Sequence, residues 1–161
     1  MNRKPIRRNE NILKLSKEHH FSLLFCWKIR QGLKMNIDAS RIVKYAQYFH
    51  AHFLRLHFRA EELFLFASLD GKRIEKAIDQ HKEINKLLAK LSKNTEDNAS
   101  GQLEKLATLV DDHVRYEERI LFPHLEKMLS EEQLAAIGNQ LDSGQLLPLS
   151  DEYEDEFWIK K

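Results

Sequence analysis

Apolar residues recur at intervals of three and four along most of this chain, the spacing of helices that each bury one face. Four long stretches carry the pattern, over residues 9–33, 38–69, 72–91 and 102–129. Their limits coincide with residues that start or stop helices. Gly32 predicts the end of the first, Asp38 or Asn36 the N-cap of the second, and Gly71 the break before the third. SKNTEDNASG, residues 92–101, is polar and turn-rich and predicts a loop. Pro123 falls inside the fourth stretch and predicts a kink. A shorter segment, SEEQLAAIGNQL, opens with the reciprocal capping pattern from Ser130 to Gln133. The expected fold is therefore all-α: an up-down-up-down four-helix bundle over residues 9–130, then a short helix and tail over 131–161. The terminal DEYEDEFWIKK reads equally as a docked strap and as a disordered end.

Each stripe is interrupted at a position that should be apolar. The first runs Ile12, Leu15, His19, Leu23, Cys26. The second runs Ile42, Tyr45, Phe49, Phe53, then His57, Glu61 and Phe64. The third runs Ile74, Ala77, Ile78, His81, Ile84, Leu88, Leu91. The fourth runs Leu103, Leu106, Val110, then His113, Glu117 and Ile120. The polar residues thus fall on the faces predicted to be buried, with apolar turns above and below.

Two of these interruptions belong to an internal repeat. HFRAEELFLFASL starts at His57 and HVRYEERILFPHL at His113, 56 residues later (113 less 57). They share His, Arg, Glu, Glu, Leu, Phe and Leu, seven of thirteen positions. Core packing requires apolar residues at such spacing; it does not require the same His followed four residues later by the same Glu. Residues i and i+4 lie on one helical face, about 6 Å apart along the axis. His57 with Glu61, and His113 with Glu117, can therefore each point at a common centre. His81 and one histidine of the first stretch bring the set to four imidazoles and two carboxylates. A carboxylate can bridge two cations, and mixed nitrogen and oxygen donors with open positions suit non-haem iron better than calcium or structural zinc. The competing explanation is a set of buried salt bridges to Arg59 and Arg115, but each lies two residues after its histidine, on another face. His50 precedes His57 by seven residues, about 10 Å along the axis, too far to share its metal. His52 and His124 read as surface or core positions. Glu62 and Glu118 follow the paired glutamates and read either as partners of histidine N–H groups or as a solvated face. Tyr45, Tyr48 and Tyr116 fall within reach of the site region.

Composition narrows the remaining classes. Apolar residues make up 42% and charged residues 32% of the 161, a globular balance rather than a disordered one. A net charge of +1 gives no general footprint for nucleic acid. The basic start, MNRKPIRR, is not followed by an apolar signal core, and no run of about 18 apolar residues occurs, so no membrane span is expected. The single cysteine, Cys26, excludes an internal disulfide, reads as core filler, and fits a cytoplasmic location.

HFRAEELFLF and HVRYEERILFP, with the weaker EHHFSLL and DQHKEI in the right order, resemble the hemerythrin-like, or HHE cation-binding, domain over about residues 10–130. The order His, His-x-x-x-Glu, His, His-x-x-x-Glu is similar to the sites of di-iron proteins proposed to repair iron–sulfur clusters. The resemblance implies two irons per chain, joined by an oxo or hydroxo bridge. It implies His19 and His57 on one iron, His81 and His113 on the other, and Glu61 and Glu117 bridging them. An acidic residue before the first ligand favours His19 after Glu18; His20 is the alternative. The chain departs from oxygen-carrying hemerythrins, which have His-x-x-x-His on the third helix, whereas Ala77 and Asn85 stand four positions either side of His81. It also lacks their aspartate five residues after the last histidine. The paired-cysteine N-terminal segment of the repair proteins is absent too. The expected function is binding or sensing of O2, NO or peroxide. The alternatives are a di-iron oxidoreductase and an iron donor in stress response or iron–sulfur cluster repair. A ferritin-like oxidase is disfavoured, because none of the eight histidines has Glu three residues before it.

Overall fold

The computed structural model describes residues 7–67, 69–93, 98–143 and 152–160. Residues 1–6 of the basic start, 94–97 of the expected loop, and 151 and 161 of the terminal segment lie outside the described residues. Within them the regular structure is helical throughout: α1 (Leu13–Lys34), α2 (39–66), α3 (Lys72–Lys93), α4 (99–128) and α5 (Glu131–Ser143). Connections this short force successive helices to run antiparallel. Helix α1 packs on α2 and α4, and α3 packs on the same two, closing an up-down-up-down bundle. No described helix is long and apolar enough to cross a membrane.

Local chemistry sets most of the boundaries. Asp38 accepts the Ser40 N–H at 3.3 Å and caps α2. Gly71, at φ +110°, turns the chain into α3 in a conformation that L side chains rarely adopt. Ser130 and Gln133 form the reciprocal box at the start of α5, at 2.8 and 3.1 Å. Gly32 does not end α1. The helix continues to Lys34, and Gly32 instead admits the C-terminal segment: a Cβ there would lie 2.7 Å from the Phe157 ring. That segment is docked, with Phe157 and Trp158 buried, Arg41 paired to Asp155 at 2.6 Å, and Lys28 placed 4.0 Å over the Trp158 ring.

Helices α2 and α4 are not uniform α-helix. Both open into a wider π-turn at the same point of the repeated motif, at Glu61–Phe66 and Glu117–Leu121, and α2 has a further one at His50–Leu54. The π-turn shifts the buried face. Ile120 is half-exposed and Phe64 only partly buried, while Leu65, Phe66, Leu121 and Phe122 fill the core. Pro123 stands at the start of the α-helical segment Phe122–Met128, directly after the π-turn, and α4 continues helical through it. On α1, Leu23 is 41% exposed and Ser22 takes the buried position.

The apolar core is divided in two. One cluster, from Phe25 and Phe49 to Leu106 and Val110, fills the end covered by Phe157 and Trp158. The other, from Ile12 and Leu15 to Phe66 and Phe122, fills the end covered by α5. The polar interruptions of the four stripes fall between them.

Candidate metal centre

All six of the groups between the two apolar clusters are all but sealed from solvent. His19, His57, His81, His113 and Glu61 are buried, and Glu117 completes the layer from α4. His20 points the other way: it is exposed, with its ring edge against Phe21. The 3.6-residue period explains the choice, since only one of two adjacent residues can share the face of Leu15 and Cys26.

Every histidine turns its Nε2 inward. His19 Nε2 lies 2.9 Å from Glu117 Oε1 and 3.7 Å from Glu61 Oε2. His57 Nε2 lies 3.4 Å from Glu61 Oε2. Across the centre, His81 Nε2 lies 3.0 Å from Glu61 Oε1, His113 Nε2 lies 3.1 Å from Glu117 Oε1, and these two nitrogens are 3.1 Å apart. The groups form two overlapping sets: His19, His57, Glu61 and Glu117, and then Glu61, His81, His113 and Glu117. Within each set the donor atoms lie within 4.8 Å of one another. Glu61 divides its oxygens, Oε2 toward the α1–α2 pair of histidines and Oε1 toward the α3–α4 pair.

The donor set fits metal cations. Atoms bound at about 2.1 Å to one ion lie about 3 Å from their neighbours, and the shorter separations here, 2.9–3.1 Å, match that spacing. His57 Nε2, Glu61 Oε2 and Glu117 Oε2 are buried without a hydrogen-bond partner. A carboxylate stripped of water and left unpaired costs several kcal/mol, and among the described residues the ion-pair partners of Glu61 and Glu117 are imidazoles only. The arginines considered from sequence lie elsewhere: Arg59 is exposed, and Arg115 pairs with Asp111 at 2.6 Å.

The imidazoles respond to this charge. Burial disfavours the cationic form of His19, but the carboxylates of Glu117, Glu118 and Glu61 outweigh it and raise its pKa well above 6.5. His57 rises to about 9 against the same burial, through the Glu61 charge and the hydrogen bond to Glu18. His81 also rises to about 9 against its burial, through Glu61 and Glu62. Burial alone would raise the Glu61 pKa, yet His57, His113 and His19 hold it well below the usual carboxylate value. The cavity selects positive charge, whether carried by protons or by metal.

A ring of polar partners surrounds the imidazoles. Glu62 and Glu118, left open from sequence, both face histidine Nδ1 atoms. Glu18 and Gln80 do so as well; from sequence Glu18 served only to favour His19 over His20, and Gln80 had no role. The signal was their position, each directly before a histidine of α1 or α3. The other candidates lie apart from the centre. His50 bonds to Asn85 at 2.8 Å, and His52 tilts against Tyr48. Tyr45 packs in the far cluster, and Tyr116 donates to the Arg73 carbonyl at 2.7 Å. Cys26 is core filler: its thiol is pushed up to about 12 by burial and donates to the Ala107 carbonyl at 3.3 Å.

Comparison with curated proteins and with solved structures gave no match. The family profile "Hemerythrin HHE cation binding domain" matches residues 11–125, from the start of α1 into the last turns of α4, and so spans all six groups of the centre. By that match over most of its length, the chain belongs to the hemerythrin HHE cation-binding family.

Proposed function

We propose that this protein holds two iron ions and through them binds or senses a small oxidising ligand: O2, NO or peroxide. The observation that carries this reading is the pair of four-donor sets sharing both glutamates. One metal would require one such set; two sets with common carboxylates suit two ions side by side. His19 and His57 would hold one, His81 and His113 the other, with Glu61 and Glu117 between them. Four imidazoles with two carboxylates are donors that suit iron, and four per ion leave positions for an exogenous ligand. When bound, iron supplies one-electron chemistry at each position. The chain's own part is to fix the imidazoles and exclude water. Phe58 stacks on His81 at 4.0 Å and Phe122 on His19 at 5.5 Å, so apolar rings wall the centre.

The test is anaerobic loading of the metal-free chain with Fe2+, elemental analysis, and absorption spectra on adding O2, NO or peroxide. The expected result is close to two irons per chain and a new charge-transfer band with at least one of the three. Less than one metal of any kind per folded chain would refute the reading. Consumption of peroxide or NO in large excess over iron would shift the assignment to an oxidoreductase, and transfer of the iron to an apo acceptor would shift it to a donor.

A further inference from the structure

The partners behind the four imidazoles follow an approximate twofold symmetry. The residue before the histidine of each odd-numbered bundle helix supports a histidine on the next helix in sequence. Glu18 accepts from His57 Nδ1 at 2.8 Å, and Gln80 from His113 Nδ1 at 2.7 Å. The residue after each shared glutamate faces a histidine of an odd-numbered bundle helix. Glu62 accepts from His81 Nδ1 at 2.9 Å, and Glu118 Oε2 lies 3.5 Å from His19 Nδ1.

Within the pair Glu62 and Glu118 the charges are both damped. The Glu62 side chain is 42% exposed, and Glu118 lies 3.7 Å from the Arg8 guanidinium. Within the pair Glu18 and Gln80 the symmetry breaks. Both oxygens fix the same tautomer, leaving Nε2 free to face the centre. A carboxylate also makes the imidazole a stronger donor, and a neutral amide does so far less. The Glu18 side chain is only 10% exposed and forms no ion pair beyond His57 among the described residues, so its charge is poorly screened.

We propose that the two metal positions are unequal: the His19–His57 position, backed by Glu18, binds its ion more tightly, and the His81–His113 position, backed by Gln80, is the weaker and more exchangeable one. This rests on the two-metal reading above. Loading is then ordered, and the weaker position is where an ion is most readily gained, lost or replaced.

The test titrates the metal-free full-length chain with Co2+ against a competing chelator, reading the two stepwise constants from the visible bands. Partners of this kind change metal affinity by about 10–100-fold. Repulsion between two like cations also separates the steps, so the isosteric variants decide. Gln80→Glu is expected to tighten the second step by about tenfold or more and draw the two together. Glu18→Gln is expected to weaken the first step by a similar factor and leave the second nearly unchanged. Two bound Co2+ with a second step that Gln80→Glu leaves unmoved would overturn the inference while sparing the two-metal reading. Fewer than two Co2+ on the folded wild-type chain would overturn both. Should Glu18→Gln fail to fold, Gln80→Glu decides alone, since Gln80 is only partly buried.

Discussion

Raising the pH on metal-free protein tests whether the carboxylates of the centre require compensating cations. In the absence of metal, the positive charge facing Glu61 is carried by protons on His19, His57 and His81. For His57 and His81 the folded pKa is about 9, against the ordinary value of 6.5. A pKa raised on folding contributes stability that is complete below the unfolded value and is lost as pH climbs through the folded one. Between pH 6.5 and 9 the folded chain retains protons that the unfolded chain has released. Each such imidazole therefore removes about 1.4 kcal/mol of stability per pH unit, on the order of 3 kcal/mol across the window. Glu61 acts oppositely: its lowered pKa contributes stability above the unfolded value near 4.5 and loses it as pH falls further. Metal-free protein should thus be most stable between about pH 4.5 and 6.5. A loss of a few kcal/mol is large against the 5–15 kcal/mol typical of a domain. Metal should abolish the alkaline decline, because ligating imidazoles have already given up their protons. The assay is urea unfolding followed by circular dichroism at pH 6, 7.5 and 9, with metal-free and metal-loaded protein in parallel. Equal stability of metal-free protein at pH 6 and pH 9 would refute the reasoning.

Three further outcomes follow from the geometry. His19→Ala should remove iron and its charge-transfer absorption while His20→Ala leaves both intact, since only the first ring faces the centre; the reverse result in metal analysis would mean that α1 is in the wrong register. Gly32→Ala should lower the melting temperature by an amount equivalent to about 1–3 kcal/mol, the usual range for overpacking, and should speed proteolysis of the Phe157–Trp158 segment; an unchanged protein would show that this segment does not press on α1. Diferrous protein mixed with O2 by stopped flow should oxidise rather than bind reversibly, since Ala77 and Asn85 supply no fifth imidazole; repeated release of O2 on evacuation would restore the carrier reading.

What was legible in the sequence, and what was not, has a physical division. Helix periodicity and the duplicated His-x-x-x-Glu give the four-helix arrangement, because both depend on residues close together along one chain. The Ser130–Gln133 box and the Asp38 cap are legible for the same reason. The errors come where a helix departs from 3.6 residues per turn, or where a distant part of the chain intrudes. Counting forward from Glu61 and Glu117 by an α-helical period selects Phe64 and Ile120, whereas the π-turns starting at those glutamates bring in Leu65, Phe66, Leu121 and Phe122. The same insertion recurs at the same motif position in both halves, starting at each of the two buried glutamates; π-turns are frequent at functional sites. Gly32 looks like a helix stop until Phe157, more than a hundred residues away, is seen to occupy the space its missing side chain leaves. The partners of the imidazoles were hidden in another way. Glu18 and Gln80 each serve a histidine on a different helix, so no spacing along one chain reveals them, and only their position before His19 and His81 hints at a shared role. Once the helices are brought together, the repeat extends from the six buried groups to the partners of their imidazoles, where a carboxylate, Glu18, stands in one half and an amide, Gln80, in the other.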